Sequence, residues 1–316
     1  MKRRSFLKKI AISSALASLP FSWLFSKEKQ TQNLPVPKRE LANKGDMLSI
    51  IGFGGILLND NGQEFANETI AKAVDAGVNY FDVAPTYGNA QDLMGPALEP
   101  YRKDCFLACK TGQWDKKEAE KELHESFKAL RTDYFDLYQL HGITSKEDVD
   151  KALAPNGAIE LFEKAKKEGK IRYIGFSAHS QEAAVYAMEQ YDFDSILFPL
   201  NFVCWYQGNY GPKAYEKAKE KNMGILGMKS MAKTRLEEGQ DQLYENIWYM
   251  PLENPSLSDK AMRFSLSKDI TATIPPGDSK FLFRAIEYAG NYTKLNEKEE
   301  KQLQDIARVT EPIFKA

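Results

Sequence analysis

The segment YFDLYQLHGITSKEDVDKALAPNGAIELFEKAKKEGKIRYIGFSAH, residues 134–179, contains two β-rich runs separated by a longer stretch with apolar residues at helical spacing. The same alternation recurs from residue 48 onward, at intervals of about 20 to 35 residues. Short strands that alternate with amphipathic helices are typical of βαβ units, in which neighbouring strands run parallel. The segment therefore predicts an α/β fold built on a parallel sheet.

Eight runs along the chain have the composition of strands. They are LSIIGFGGI (48–56), NYFDVA (79–84), CFLACKT (105–111), YFDLYQLH (134–141), IRYIGFSAH (171–179), SILFPLN (195–201), GILGMKS (224–230) and TATIPP (271–276). Eight strands that are each followed by a helix close naturally into a (β/α)8 TIM barrel. We therefore predict this barrel as the fold class.

Helical spacing between these runs is clearest at residues 68–77, 117–130 and 157–170, and it recurs at 296–309, after the last barrel helix. The last stretch predicts an extra C-terminal helix packed on the barrel. No break in composition divides the middle of the chain, so we predict one folded domain. The expected boundaries are residues 1–26 for a signal peptide, 27–44 for a linker, 45–290 for the barrel and 291–316 for the C-terminal helix.

Composition and charge exclude several classes of protein. The 316 residues are 43% hydrophobic and carry a formal net charge of −1, and removal of residues 1–25, with five basic and no acidic residues, would leave −6. A mildly acidic chain is a poor binder of nucleic acid. The three cysteines, Cys105, Cys109 and Cys204, have no metal or redox spacing, and we interpret them as buried thiols rather than as a disulfide. Three histidines without a metal-binding pattern argue against a metal site.

The N-terminus resembles a twin-arginine export signal. Arg3 and Arg4 precede Phe6, Leu7 and Lys8, and an apolar, serine-containing stretch follows without an acidic residue. This resemblance implies export to the periplasm through the twin-arginine translocation machinery, and contact with the membrane only if the signal is not cleaved. Because this route is known for carrying folded proteins, often with a cofactor, it also favours a tightly bound cofactor.

Polar side chains end three successive predicted strands. Asp82 and Lys110 end the second and third strands, His141 ends the fourth, and Tyr87 lies in the loop after Asp82. Barrel enzymes carry their chemistry at these strand ends. A structural ion pair is the alternative for Asp82 and Lys110 alone, but a phenol beside an ammonium suits proton donation to an oxygen that gains charge. We expect Lys110 to lower the pKa of Tyr87 and Asp82 to hold Lys110, and we expect His141 either to hydrogen-bond the carbonyl oxygen or to help relay the proton.

The motifs FDVAPTYG (81–88), FLACKTG (106–112) and YQLHG (138–142) together resemble the aldo-keto reductases, a family of (β/α)8 barrels that reduce carbonyls with NADPH. The resemblance covers roughly residues 48–290. It implies a catalytic tetrad of Asp82, Tyr87, Lys110 and His141. It also implies a cofactor that lies extended across the carboxyl-terminal face, without a Rossmann domain.

The same resemblance assigns the nicotinamide end of the cofactor, although the chain departs from the family pattern there. Ser177 matches the family motif, but Ala178 stands where an asparagine is usual and Leu197 where a glutamine is usual. His179 and Asn201 are the expected substitutes. Near the first strand, Gly54 and Gly55 either admit the cofactor or form a close-packed turn.

The phosphate-binding part of the cofactor site is predicted from the last two strands. Lys229 stands where the family often has an aromatic residue against the nicotinamide ring, so we expect it to reach a phosphate instead, with support from Ser230. After the eighth strand come the turn Pro276–Gly277 and the cations Lys280 and Arg284. This segment resembles the one in which the family receives the adenosine 2′-phosphate. Pairing of the cations with that phosphate would favour NADPH over NADH, so we prefer NADPH, although a solvated helix face would also explain the cations.

An aromatic-rich loop at residues 232–255 interrupts the regular alternation and predicts a substrate lid, or else ordinary packing on the barrel rim. The aromatic candidates for the substrate pocket are Trp114, Trp205, Tyr206 and Trp248.

The leading functional hypothesis is an exported NADPH-dependent oxidoreductase that reduces an aldehyde or ketone, with Tyr87 as proton donor. The alternative is a cofactor-binding sensor or accessory subunit of the same fold with little turnover. A third class, a metal-dependent barrel hydrolase, requires more histidines and aspartates at strand ends than this chain offers. The sequence makes no prediction of the oligomeric state.

Overall fold

The computed structural model describes residues 34–237 and 239–316. The predicted twin-arginine signal lies outside these residues. Within them the chain forms the following strands: β1 Lys38–Glu40, β2 Met47–Ser49, β3 Phe53–Gly54, β4 Tyr80–Asp82, β5 Phe106–Thr111, β6 Phe135–Ile143, β7 Ile171–Ala178, β8 Ser195–Pro199, β9 Gly224–Met228, β10 Ala232–Arg235, β11 Tyr249–Pro251 and β12 Ala272–Ile274. Four of these strands form two separate antiparallel ribbons, β1 with β2 and β10 with β11.

The central sheet is an eight-stranded barrel. Its strands follow in the order β3, β4, β5, β6, β7, β8, β9 and β12, and every neighbouring pair is parallel. The ring closes where Ile51 bridges Thr273 and Gly52 N donates to Thr273 O at 3.0 Å. The predicted TIM barrel is confirmed, and each of the eight predicted runs contributes a strand to it.

Side chains fill the inside of the barrel, as expected for a packed core rather than a pore. Tyr80, Phe106, Leu137 and Leu226 meet there and are buried. The β1–β2 ribbon brings Leu41 into the same cluster, where it lies so close to Gly224 that a Cβ there would collide with it.

Residues 34–44, which the sequence assigns to a linker, are part of this folded unit. Lys38–Glu40 pairs with Met47–Ser49, and both Val36 and Leu41 are buried. The physical reason is that the amino-terminal end of a barrel needs an apolar cover, and this short ribbon provides it. The folded part therefore begins before residue 45.

Helices alternate with the barrel strands and form an outer layer. They are α1 Gln63–Asp75, α2 Ala90–Leu98, α3 Lys116–Ala129, α4 Lys146–Leu153, α5 Ala158–Lys167, α6 Gln181–Gln190, α7 Phe202–Tyr206, α8 Pro212–Glu220, α9 Pro255–Leu266, α10 Ser279–Gly290 and α11 Glu297–Ala307. Two 3-10 turns, Gly55–Leu58 and Glu99–Asp104, complete the connections. In the described ranges, no helix combines the length and apolar character needed to cross a membrane.

The helix predicted at 117–130 lies close to its observed position, Lys116–Ala129. It begins at Lys116 because the Asp115 carboxylate accepts hydrogen bonds from the backbone of Lys117 (2.8 Å) and Glu118 (3.3 Å). The helix predicted at 68–77 begins earlier than expected, at Gln63, directly after Gly62.

The C-terminal segment packs on the barrel as predicted from its helical spacing. Leu303 and Ala307 of α11 are buried against Phe202 and Phe264, which belong to α7 and α9. The chain then returns toward the carboxyl-terminal face, where Phe314 stacks on Tyr210 with ring centroids 5.1 Å apart.

Candidate active site

A cavity of about 420 Å³ opens at the carboxyl-terminal ends of the barrel strands. Its volume is typical of small-molecule sites. The predicted site residues that line it are Gly54, Asp82, Tyr87, Lys110, His141, Ser177, His179, Lys229, Trp248 and Gly277. The four residues of the proposed tetrad, which come from three strands and a loop, therefore share one wall of this cavity.

Asp82 and Lys110 form a buried ion pair between neighbouring strands. Lys110 Nζ donates to Asp82 Oδ1, and the two residues are 0% and 2% exposed, respectively. The other carboxylate oxygen of Asp82 accepts from Gln139 Nε2 at 3.1 Å and from the Tyr80 hydroxyl at 3.4 Å. A buried carboxylate with this many donors holds a fixed orientation.

The pKa of Lys110 is raised above its ordinary value. Burial opposes the ammonium charge, but the carboxylate of Asp82 and its hydrogen bond outweigh that effect. The side chain is therefore charged at neutral pH. Its Nζ points past Asp82 toward the hydroxyl of Tyr87, 3.5 Å away.

Tyr87 lies between this ammonium and His141. Its ring meets the His141 ring edge to face, with centroids 5.6 Å apart and an angle of 84°. Burial raises the pKa of Tyr87, and this outweighs the lowering by the charge of Lys110. The expectation of a lowered pKa is therefore wrong for this structure, because the phenol is more deeply buried than its loop position suggests.

His141 is a neutral imidazole at physiological pH. Burial, together with the charges of Lys110 and other neighbours, lowers its pKa to about 3. Nδ1 lies 3.4 Å from the hydroxyl of Thr86, a contact at the long limit of a hydrogen bond. Among the described residues, Nε2 has no hydrogen-bond partner, so it is available to a ligand.

Ser177 and His179 extend the polar wall beyond the tetrad. The Ser177 hydroxyl accepts a hydrogen bond from Gly142 N at 2.8 Å. The ring of His179 stacks on Phe314, with centroids 5.5 Å apart, and its pKa is lowered to about 4, chiefly by burial. Its Nδ1 is buried and finds no partner in the part of the chain that the structure describes, which is unusual for a native polar atom.

Lys229 enters the cavity from the end of β9. Its Nζ lies 5.3 Å from the centroid of the Trp248 ring and 5.2 Å from that of Tyr249. Burial, and then the charge of Lys110, lowers its pKa to about 8. Trp248 directly precedes β11, and Tyr249 is its first residue. Both belong to the predicted lid loop, which therefore contributes aromatic walls to the cavity.

Besides Lys280 and Arg284, four residues predicted for the cofactor lie outside this cavity. Asn201 is buried, and its side chain caps α7 and donates to Lys229 O (3.0 Å) and Ala232 O (2.7 Å). Ser230 is also buried, and its hydroxyl accepts from Thr273 Oγ1 at 3.2 Å. Both are committed to backbone or strand contacts, so the expectation that they bind the cofactor directly is not met.

Gly55 and Pro276 are the other two. A Cβ at Gly55 would lie 2.9 Å from both Met94 and Val83, so this glycine permits close packing behind the cavity. Gly54, by contrast, lines the cavity, and so do Pro275 and Gly277, the neighbours of Pro276. A Cβ at Gly277 would lie 2.7 Å from Ile56, so the turn after β12 requires glycine for its close approach.

The two cations after β12 are occupied by the same acidic residue. Lys280 Nζ lies 2.7 Å from Glu253 Oε2 and donates to the Tyr244 hydroxyl at 2.7 Å. Arg284 Nη1 donates to the backbone oxygen of Glu253 at 3.1 Å. A phosphate that binds these cations must therefore compete with Glu253.

Three predicted pocket aromatics point elsewhere. Trp205 packs on Tyr215 and Phe264 in the outer helical layer, and the hydroxyl of Tyr206 donates to Glu300 at 2.6 Å. Trp114 packs against the core at the barrel rim and does not line the cavity. Their proximity to strand ends was correct, but short loops and helix α7 turn these rings outward.

The cavity also contains residues that the sequence did not indicate. They are Ile56, Thr86, Gln242, Glu245, Asn246, Tyr249, Met228, Ile274 and Pro275. Thr86 directly precedes the predicted residue Tyr87. Gln242, Glu245, Asn246 and Tyr249 lie in the predicted lid loop, so the sequence indicated their segment but not the individual residues. Leu197 also lines the wall, and its apolar side chain provides no amide for a ligand.

Comparisons with a family model and with curated proteins indicate the same family, and comparison with solved structures indicates the same fold. A model of the aldo/keto reductase family matches residues 50–309. The uncharacterized oxidoreductase YqkF of Bacillus subtilis is 26% identical over 310 residues, which cover 88% of this chain and 98% of that protein. The aldo-keto reductase yakc [NADP(+)] of Schizosaccharomyces pombe is 29% identical over 192 residues, 53% of this chain and 54% of that protein. The holo form of an aldo-keto reductase from Bacillus halodurans has a TM-score of 0.68 at 24% identity and covers 86% of this chain and 96% of that one, which supports the fold.

Proposed function

Because the chain belongs to the aldo/keto reductase family, we propose that it is an NADPH-dependent reductase of an aldehyde or ketone, with Tyr87 as the proton donor. The observation that carries this proposal is the Asp82–Lys110–Tyr87 chain beside His141 in one cavity. The family and its oxidoreductase relatives support the reduction of carbonyl groups with a nicotinamide cofactor. The identity of the donor and the preference for NADPH are our own proposals.

Tyr87 is suited to give a proton rather than to take one. Its raised pKa keeps the phenol protonated at neutral pH. As the phenol releases its proton to the substrate oxygen, the Lys110 ammonium 3.5 Å away stabilises the phenolate that forms. Asp82 keeps Lys110 charged and directed toward Tyr87 by holding its Nζ in the ion pair.

His141 would orient the carbonyl. A neutral imidazole can donate one hydrogen bond to the carbonyl oxygen without giving up a proton, and a pKa of about 3 keeps the ring neutral. The hydroxyl of Tyr87 and Nε2 of His141 would then hold the same oxygen from two sides. This arrangement stabilises negative charge that develops on that oxygen.

The wall next to the tetrad fits the nicotinamide end of a cofactor. When bound, the nicotinamide supplies the hydride for the carbonyl carbon. The hydroxyl of Ser177 offers a hydrogen bond to a carboxamide, and the ring of His179 lines the same wall, in place of the asparagine and glutamine that are usual in the family. Lys280 and Arg284 would favour NADPH by pairing with its 2′-phosphate, and the name of the yeast relative specifies NADP(+).

We also propose export through the twin-arginine pathway, on the basis of Arg3, Arg4 and the apolar stretch that follows them. Purification of the mature protein from the exported fraction tests this directly. Identification of a bound nucleotide in that preparation tests the cofactor at the same time. Absence of the protein from the exported fraction would contradict the export proposal without affecting the proposed chemistry.

The reductase proposal is tested by following NADPH oxidation with a panel of aldehydes and ketones. Tyr87→Phe should reduce kcat by about 10²- to 10⁴-fold, because it removes only the proton donor, and should leave the dissociation constant of NADPH unchanged. Tyr186→Phe is the matched control, since its hydroxyl lies on the surface and contacts Asp150. Undiminished turnover in Tyr87→Phe would show that another group donates the proton. NADPH binding without turnover by the unaltered protein would favour the sensor alternative.

A further inference from the structure

Lys229 carries a charge that no group near it balances. Among the residues that the structure describes, no carboxylate forms an ion pair with its Nζ, although the side chain is partly buried and lines the cavity. Charged groups that leave water are normally paired with an opposite charge. An unpaired ammonium inside a binding cavity therefore suggests that the missing anion belongs to the ligand.

The other charged groups of the cavity do not supply this anion. Asp82 already accepts hydrogen bonds from Lys110, Gln139 and Tyr80. Glu245 is exposed on the lid loop and makes no contact with Lys229 among the described hydrogen bonds and ion pairs. The two histidines of the wall are neutral. With Asp82 and Lys110 cancelling each other, the interior of the site has an excess of one positive charge.

The position of this charge is held by the fold. Lys229 has a φ of 62°, in the left-handed region that side-chain-bearing residues seldom adopt. Its backbone oxygen accepts from Asn201 Nδ2 and from Ala232 N, both at 3.0 Å, and these bonds fix the turn. The rings of Trp248 and Tyr249 flank the ammonium at distances typical of cation–π contacts.

The ammonium belongs to the same cavity as the proposed tetrad. Lys229 lines this cavity together with Lys110, His141 and His179. In a nicotinamide dinucleotide, a ribose separates the reacting ring from the phosphates. A cation that lines the cavity of the tetrad can therefore contact an anion at the reacting end, whereas Lys280 pairs with Glu253 and does not line the cavity.

We infer that Lys229 binds an anionic group of the substrate, so that the enzyme reduces carbonyl compounds that carry a carboxylate or a similar anion. This inference rests on the proposed reductase function and names its substrate class. It replaces the prediction that Lys229 reaches a cofactor phosphate. The two sources of the anion, substrate and cofactor, are separable by experiment.

The test uses two aldehydes of similar size, 4-carboxybenzaldehyde and its neutral methyl ester. The unaltered enzyme should prefer the carboxylate. Lys229→Met should lower kcat/KM for the carboxylate by about 10- to 100-fold, mainly through KM, and leave the ester within about twofold. Lys229→Arg should restore most of the preference, and Lys233→Met, which changes an exposed lysine nearby, should behave like the unaltered enzyme.

Two binding measurements complete the design without turnover. Calorimetry should show that benzoate binds the unaltered protein but not Lys229→Met, and fluorescence titration should give the same NADPH affinity for both. If Lys229→Met instead weakens NADPH and lowers both aldehydes equally, the ammonium serves a cofactor phosphate and the inference is overturned. Equal reduction of acid and ester by the unaltered enzyme would also overturn it. If no aldehyde is reduced but benzoate binding depends on Lys229, the anion site stands and the proposed reductase function fails.

Discussion

Asp82→Asn should destabilise the protein in a way that depends on pH. The substitution keeps the shape of the side chain but removes the charge that balances Lys110, which is 0% exposed. Removal of one partner from a buried ion pair typically costs about 3–5 kcal/mol, because the remaining charge is left unpaired. Lys110, unlike an arginine, can escape this cost by releasing its proton.

The free-energy cost of releasing this proton determines how much Asp82→Asn should destabilise the protein. In the unfolded chain the pKa of Lys110 is its ordinary 10.5, so holding it neutral at pH 8 costs 2.5 pH units, or about 3.4 kcal/mol. The same arithmetic gives about 4.8 kcal/mol at pH 7 and about 2 kcal/mol at pH 9. In the variant the folded pKa lies below the unfolded one, so the unfolded state binds more protons and stability rises with pH. The deficit relative to the unaltered protein should therefore shrink by up to about 2.7 kcal/mol between pH 7 and pH 9.

Urea unfolding followed by circular dichroism at pH 7, 8 and 9 measures this deficit. Asp136→Asn is the matched control, because Asp136 is equally buried but pairs with Arg102 (3.0 Å) and Arg172 (2.8 Å) instead of with a lysine. Arginine does not release its proton in this range, so the control should be destabilised by a constant amount. The control should also keep kcat/KM within about twofold, whereas Asp82→Asn should lose about 100-fold or more.

A deficit of Asp82→Asn that stays constant from pH 7 to pH 9, or that is smaller than about 1 kcal/mol, would refute this reasoning. The first result would mean that Lys110 stays protonated without Asp82. The second would mean that the pair contributes nothing to stability and that the site has another source of order.

Two further predictions concern the histidines and the choice of cofactor. Burial lowers the pKa of His141 to about 3 and that of His179 to about 4. The unfolded chain therefore binds more protons than the folded protein below pH 6.5. As the pH falls from 6.5 to 4, the free energy of unfolding should decrease by up to about 1.4 kcal/mol per pH unit for each histidine. Urea titrations of the double substitution His141→Gln, His179→Gln should lack that part of the slope, and an unchanged slope would contradict the assignment. Lys280→Met should weaken NADPH about tenfold and leave NADH unchanged, whereas Glu253→Gln should tighten NADPH because it releases the cation. Fluorescence titration of the two cofactors measures both effects, and parallel changes for NADH would show that neither residue senses the 2′-phosphate.

The predicted site residues that line the cavity share a simple property. Asp82, Lys110, His141 and Ser177 lie at or next to the ends of parallel strands, and the barrel topology brings those ends to one face. Tyr87 follows Asp82 closely enough for the same argument to hold. Their positions depend on strand register and chain order, which the pattern of apolar residues already specifies.

The failures share a different property. Asn201 and Ser230 also lie at strand ends, but their side chains satisfy buried backbone and strand groups. Trp205 and Tyr206 belong to a short helix whose axis decides which rings face the cavity, and both turn outward. The direction of the Tyr87 pKa shift was also wrong, because burial depends on neighbours that are remote in sequence.

The sequence by itself determined the strand order, the family and the positions of the tetrad, because periodicity and chain order act locally and a parallel barrel has one way to assemble them. Only the tertiary structure decided how deeply each polar group is buried and which partner holds it. It showed that Glu253 holds Lys280 and Arg284, that residues 34–44 cover the amino-terminal end of the barrel, and that the Lys229 ammonium has no ion-pair partner among the described residues. These outcomes depend on desolvation and on contacts between distant segments, and a short stretch of sequence determines neither of them.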